Sequence, residues 1–317
     1  MPEVTTFGES LLRLSVPAGY RLEDMRALDV HVGGAESNVA AALGRLGHTV
    51  VYGTALPDHG PGRKVAAALR EAGVDLRGVL WRASGRVATY YVEYSEPPRA
   101  IQVTYDRAGS CASEIGAEDL PLDVLLDTRL LHVTGITPAI SESSREATLY
   151  LAEQARARGV PLSVDVNYRT RLWPPEQAAA MLPALLTGAA ILFCKAADAR
   201  LLFGMPDDPA DLPAVLAKRF DAAAAVVTHG ADGVYGWQDG QAFHEPAVPV
   251  RILDRIGAGD AMAAGVIHGW LRGDFAYGLR AGAMLSALAL SQYGDMVVTT
   301  AAELDALLAA HGGDVVR

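Results

Sequence analysis

The chain has 317 residues, half of them apolar and one fifth charged, with a formal net charge of -10. That length can bury the core of a three-layer α/β domain, and the composition excludes a disordered chain. The acidic balance excludes a general nucleic-acid binder, so an anionic ligand must find positive potential made locally. Two cysteines, Cys111 and Cys194, form no C-x-x-C pair, and the histidines fall in no metal-ligand spacing. A reduced, cytoplasmic protein is the expectation. The opening M-P-E-V-T-T-F-G-E carries no signal-peptide pattern, and the apolar runs are too short and broken for a membrane span.

In chain order, the apolar pattern predicts a strand over 4–7, a helix over 35–46 closed by Gly47, a strand over 50–52 and a helix over 62–72 ended by Gly73. A buried strand over 130–133 precedes a helix over 144–158 with Gly159 as its C-cap. A strand over 162–166, a helix over 175–186, and strands over 191–193 and 224–228 follow. Thr228 to Gly233 reads as a strand end and turn into a further strand, 234–237. Helices over 258–273 and 277–292 complete the series. This alternation predicts a mostly parallel sheet with helices on both faces. Two regions break the rhythm, 11–32 and 86–107. In the second, T-Y-Y-V-E-Y (89–94) and I-Q-V-T-Y (101–105) flank S-E-P-P-R and predict a hairpin. Such a hairpin does not fit easily inside a parallel sheet, so it is expected as a flap that covers a cleft or joins subunits, with a peripheral hairpin patching a sheet edge as the alternative. The organisation expected is one domain over 1–317 with a small β lid built from segments about 11–32 and 86–107.

The most informative run is D-R-I-G-A-G-D-A-M-A-A-G, 254–265. A glycine turn, Gly257-Ala258-Gly259, delivers Asp260 to the start of an apolar helix. The first amides of a helix lack intrahelical partners and carry the positive end of its dipole, so the turn is suited to an oxyanion. A carboxylate beside that nest is suited to taking a proton from an attacking hydroxyl. Alone, G-x-G-D is equally an ordinary strand-to-helix turn. A second glycine pair, Gly33-Gly34, leads into Glu36, Ser37 and Asn38 at a helix start and suits a hydroxyl-rich ligand, or serves as polar capping. Asp165, Asn167 and Arg169 follow a buried strand, where ligands of open parallel sheets collect. If extended, they share one side, and Arg169 offers a fork for a carboxylate or phosphate. An Asp–Arg structural pair is the alternative. Thr228, Gly230 and Gly233 lie at a strand end where a hydroxyl and an amide can meet phosphate, or form only a hairpin turn. Tyr90, Tyr105 and Arg107 fall in the flap and read either as a sugar-facing lid or as packing. No G-x-G-x-x-G follows the first strand, which ranks a dinucleotide-binding oxidoreductase low.

Taken in order, G-G-x-x-x-N near the start, T-x-G-x-x-G, and D-x-x-G-A-G-D about 220 residues after the first resemble the ribokinase-like (PfkB) carbohydrate kinases over nearly the whole chain. The resemblance implies a ribokinase-like three-layer α/β/α sandwich with a β-sheet lid, ATP and Mg²⁺ as cofactors, and phosphorylation of a sugar hydroxyl. It makes Asp260 the catalytic base, with Gly257, Ala258 and Gly259 framing the anion hole. Thr228, Gly230, Gly233 and Gly259 then lie by the nucleotide, and Gly34 and Asn38 by the sugar. D-V-N-Y-R-x-x-L-W (165–173), G-I-T-P-A (135–139) and R-A-G-S (107–110) are most similar to the 2-keto-3-deoxygluconate kinases within that family. There the positions of Tyr90, Tyr105, Arg107 and Arg169 contact a sugar acid. Where the family has N-x-x-E, this chain has Lys195 and Asp198. The implied roles are a phosphate contact for Lys195 and a metal-bound water for Asp198. No Asn of the adenine pocket stands near Ala283. A neutral-sugar or nucleoside kinase, or a catalytically silent sugar-binding protein on the same fold, are the alternatives. A homo-oligomer formed through the lid is expected.

Overall fold

The computed structural model describes residues 1–95, 98–206 and 208–310. Its strands are β1 Val4–Phe7, β2 Leu11–Ser15, β3 Asp29–Gly33, β4 Val50–Pro57, β5 Val74–Arg82, β6 Ala88–Glu93, β7 Gln102–Asp106, β8 Leu130–Thr134, β9 Leu162–Asp165, β10 Ile191–Lys195, β11 Ala224–Thr228, β12 Val234–Gln238 and β13 Gln241–Glu245. Nine form one sheet in the order β13-β12-β11-β10-β9-β8-β1-β4-β5. Every neighbouring pair from β11 to β5 is parallel, and β12 and β13 close one edge as an antiparallel hairpin.

The alternation of side chains along each strand fills two cores. Ile191, Phe193, Ala224 and Val226 face one core, while Leu192, Cys194, Ala225 and Val227 face the other. Helices Ala35–Arg45, Gly60–Glu71, Ala258–Leu271, Phe275–Leu290 and Ala301–Ala310 cover the first face. Helices Glu142–Ala157, Pro175–Met181, Pro183–Leu186, Ala196–Phe203 and Leu212–Phe220 cover the second. The result is a three-layer α/β/α sandwich. From β1 the chain proceeds outward through β4 and β5, and from β8 it proceeds the opposite way to β11. The switch point between β1 and β8 opens a crevice at the carboxyl ends of the strands.

The two segments that break the rhythm supply a separate four-stranded sheet, β3-β2-β6-β7. β6 and β7 pair antiparallel as the expected hairpin. Glu96 and Pro97 of its S-E-P-P-R turn lie outside the described residues. The lid has a small core of its own, formed by Leu11, Ala88, Tyr90, Val92 and Tyr94.

The helix expected over 175–186 is divided at Leu182, because Pro183 has no amide to continue the ladder. β5 and β13 were not legible in the apolar pattern. Both are edge strands, half solvated and rich in polar residues. No helix among the described residues is long and apolar enough to cross a membrane.

Candidate active site

Gly257 is the N-cap of the helix Ala258–Leu271, with φ of +86°. A Cβ there would lie 2.1 Å from the carbonyl oxygen of Asp295, so both backbone sign and space demand glycine. The first helical bond runs from Ala261 N to Gly257 O. The amides of Ala258, Gly259 and Asp260 therefore have no acceptor within the helix. On the other side, Gly34 caps the helix Ala35–Arg45 with φ of +146°, and a Cβ on it would lie 2.2 Å from the carbonyl oxygen of Glu9. That close approach turns the first helical turn inward, and Asn38 Nδ2 donates to Asp260 Oδ2 at 2.7 Å. Two motifs far apart in sequence thus meet at one carboxylate. Asn38 Oδ1 is buried without a hydrogen-bond partner, leaving an acceptor for a hydroxyl.

Asp260 keeps a partial opening to solvent, yet the protein packed around it pushes its carboxyl up to about 7. Burial is the main cause. The Asn38 hydrogen bond and Arg169 oppose it, and Asp165 and Asp295 add to it. A carboxylate poised near neutrality is suited to accept a proton from an alcohol.

A cavity of about 610 Å³ lies between the lid and the loops after β8 and β9, with Tyr105, Arg107, Ile136, Arg169, Arg171 and Leu172 in its wall. Its cations differ in availability. Arg107 directs its fork at Glu9, with Nε and Nη2 at 2.9 and 2.5 Å from Oε2. Arg169 donates from Nη1 to the carbonyl of Tyr168 at 3.1 Å, and its charge is felt by Asp165, Asp198 and Asp260. Tyr90, expected at the sugar, brings its hydroxyl within 3.0 Å of a would-be Cβ on Gly33. Its side chain is buried, its hydroxyl donates to Asp295, and it stacks under Tyr105 at a centroid distance of 5.4 Å. Tyr105, 43% exposed, is the tyrosine that faces the cavity. The extended alternation expected for Asp165, Asn167 and Arg169 fails. Asp165 Oδ1 accepts from the Asn167 amide at 3.0 Å, and Asn167 takes a left-handed φ of 39° that turns the chain. Tyr168 and Trp173 go into the core, joined by a Tyr168 hydroxyl to Trp173 carbonyl bond of 3.1 Å, and Arg169 alone of the trio lines the cavity.

A larger cavity of about 850 Å³ is lined by Lys195, Thr228, Gly230, Gly233, Ala258 and Gly259, among others. Lys195 and Thr228 are register partners at the ends of β10 and β11. The helix Phe275–Leu290 adds Ala283, Ser286, Ala287 and Leu290 to the lining. Asp198 lies one turn beyond Lys195. Its Oδ2 is buried without a hydrogen-bond partner, and burial raises its pKa against Lys195 and Arg169. A lone acceptor oxygen of this kind fits a hard cation or its water shell. Among the described residues no group of three metal-ligating side chains occurs. The single buried oxygen of Asp198 fits a cation that also takes oxygens from phosphates.

Of two glutamates at the site, Glu9 escaped the sequence reading, and Glu36 was read only as a polar residue of a helix start. Glu36, fully enclosed, accepts at Oε1 from the Thr134 and Thr137 hydroxyls, each at 2.7 Å, and so anchors the G-I-T-P-A loop to the glycine pair. Glu9 receives Arg107 and the Ser110 hydroxyl, and so holds the lid's R-A-G-S segment against the end of β1. A charged residue beside each glycine turn was the available signal.

The model of the pfkB family carbohydrate kinases matches residues 1–302. A 2-dehydro-3-deoxygalactonokinase of Haloferax volcanii is 36% identical over 313 residues, covering 98% of each chain. A 2-dehydro-3-deoxygluconokinase of Bacillus subtilis is 31% identical over 305 residues, 93% of this chain and 91% of the relative. The crystal structure of a 2-dehydro-3-deoxygluconokinase from Thermotoga maritima superposes with a TM-score of 0.92 at 29% identity, covering 98% of this chain and 100% of that one. With a glycine turn of acceptor-free amides, a carboxylate held near neutrality and two cavities at the carboxyl ends of its parallel strands, this chain belongs to the pfkB family of carbohydrate kinases.

Proposed function

We propose that the protein transfers the γ-phosphoryl group of ATP, with Mg²⁺, to the terminal hydroxyl of a 2-keto-3-deoxy sugar acid, 2-keto-3-deoxygluconate foremost. One observation carries this reading. Asp260, bonded to Asn38, directly follows Ala258 and Gly259 in the wall of the larger cavity and feels the charge of Arg169 in the wall of the smaller one. The smaller cavity takes the sugar acid. Arg169 meets its carboxylate, Tyr105 covers it, and Asn38 Oδ1 accepts from a hydroxyl. Arg107 tightens the lid through Glu9 and reaches the carboxylate only by leaving that partner. The larger cavity takes the nucleotide, with Lys195, Thr228, Gly230 and Gly233 by its phosphates. When bound, magnesium would neutralise phosphate charge, and Asp198, whose buried Oδ2 lacks a partner, would hold its water.

In the transfer, the substrate oxygen bonds to the γ-phosphorus as the bond to the β-phosphate oxygen breaks. The hydroxyl proton passes to Asp260, and ADP and the sugar-acid phosphate are the products. The amides of 258–260 meet the charge spread over the transferring group. Lid closure excludes water, which would otherwise compete as acceptor.

A substrate panel with coupled ADP detection tests the reading. The expected result is turnover of 2-keto-3-deoxygluconate, its C4 epimer or both, far above that of fructose, ribose and nucleosides. Equal or better use of a neutral sugar would replace the sugar-acid assignment. The same reading includes a reduced, cytoplasmic setting, which suits the buried, unpaired Cys111 and Cys194. It also includes a homo-oligomer joined through the lid, supported by the exposed Tyr20, Met25 and Val30 on that sheet and its flanking loop.

A further inference from the structure

Arg13 sits in the middle of β2, between Leu12 and Leu14, and is fully buried. A guanidinium in that place needs partners, since an unpaired buried charge is strongly unfavourable. Its partners lie on two loops distant in sequence. Nη1 donates to Asp295 Oδ1 at 2.8 Å, and Nη2 donates to Asp254 Oδ2 at 2.5 Å. Nη2 also reaches the Tyr94 hydroxyl, and the guanidinium lies 5.3 Å from the centroid of that ring. Tyr94 donates to Asp254 Oδ2 at 2.9 Å, and Tyr90 donates to Asp295. Arg13, Tyr90 and Tyr94 all belong to the lid sheet or its immediate end, whereas Asp254 and Asp295 belong to the main domain.

Both carboxylates brace the anion hole. Asp254 opens the D-R-I-G-A-G-D turn, and its Oδ1 accepts from the Ile256 amide at 3.1 Å. Asp295 supplies the backbone carbonyl against which Gly257 packs, with only 2.1 Å to a would-be Cβ. One cation therefore ties together the segment that starts the turn, the segment beneath it and the lid.

We propose that Arg13 is a positioning residue, clamping the lid to the anion-hole turn and so setting where the 258–260 amides stand. Its guanidinium touches neither cavity wall and acts only through Asp254 and Asp295. Without it, two buried carboxylates face one another, the turn and its floor separate, and the lid loses its registration with the site.

The activity arm of the test rests on the kinase reading above, and the exchange arm does not. Arg13→Ala is expected to lower kcat by roughly tenfold to a hundredfold, with the KM for ATP and for the sugar acid changed less than about threefold. Guanidinium ion at millimolar concentration should restore part of the lost kcat in Arg13→Ala and none in wild type. Arg13→Lys should fall between the two, because one ammonium cannot fork across both carboxylates. In parallel, amide hydrogen exchange of Arg13→Ala should quicken over 254–260 and 293–296 while the main sheet stays protected, and guanidinium should slow it again. Should Arg13→Ala not fold, Asp295→Asn, of the same shape, is read in both arms with the same expected direction. Unchanged kcat in a folded variant, or a loss that appears wholly in KM, overturns the proposal. So does exchange that is unaltered in those segments. If wild type phosphorylates no sugar acid, the function reading falls, and the exchange comparison alone decides the role of Arg13.

Discussion

The role proposed for Asp260 turns on a single pKa. Burial holds its carboxyl near 7, and a base works only when deprotonated. The expected pH profile of kcat/KM therefore rises through about 7 and falls about tenfold per unit below it; a rate unchanged between pH 5.5 and 8 would remove the base assignment. Asp260→Asn should reduce kcat by about a thousandfold, within the usual range for a lost general base, and leave binding of both substrates largely intact by calorimetry. The same shift has a cost in stability. A carboxyl whose folded pKa exceeds its unfolded value binds more protons in the native state, so stability falls as pH rises from about 4 to about 7. Asp260→Asn should consequently melt higher than wild type at pH 8 by about 2–6 °C and show little difference at pH 4. Arg169 carries the other residue-scale expectation. Arg169→Ala should raise the KM for the sugar acid by about tenfold to a hundredfold, the worth of a charge-assisted bond, and hardly alter that for a neutral sugar. Equal effects on both would take the carboxylate away from it. In the sequence, Asp260, Asn38 and Arg169 were legible because glycines and strand ends surround them. The bond of Tyr90 to Asp295 was not legible, because a tyrosine in an alternating strand looks the same whether its hydroxyl meets a ligand or a buried aspartate.

Among the elements, the glycine turn at the start of Ala258–Leu271 separates geometry from contact. Gly257 has a left-handed φ and no space for a methyl group, while a Cβ on Gly259 would meet no atom within 4 Å. Gly257→Ala should therefore lower both Tm and kcat, the latter by at least about tenfold. Gly259→Ala should leave Tm unchanged and raise the KM for ATP, because its methyl group enters the larger cavity. Thermal melts and initial rates on the two variants distinguish these outcomes, and a matching pair of Tm losses would contradict the account. Elements with strong one-face burial were readable, such as the helix whose buried face includes Ala147, Leu151 and Ala155. The edge strands β5 and β13 were not, since one side of an edge needs no apolar pattern. The division at Pro183 shows the same limit. The residue was visible, but the helical pattern carried on through it.

For the whole molecule, the proposed oligomer is tested at the lid. Val30 is 44% exposed on β3, an outer strand of the lid sheet. If the lid joins subunits, Val30→Lys should shift the protein to monomer in sedimentation velocity, whereas wild type sediments as an oligomer; a wild-type monomer would dismiss the lid contact. Fold class, the βα rhythm and the separateness of the hairpin were already present in the one-dimensional pattern, because periodicity and glycine placement are local properties. Long-range pairing is not local. Asn38 meeting Asp260 across 222 positions, Arg13 bridging Asp254 and Asp295, and Glu36 gathering two threonines follow from the crossing of the chain at β1 and β8. A buried charge within an apolar strand announces that it needs a partner; which partner it finds depends on the packing of every layer around it.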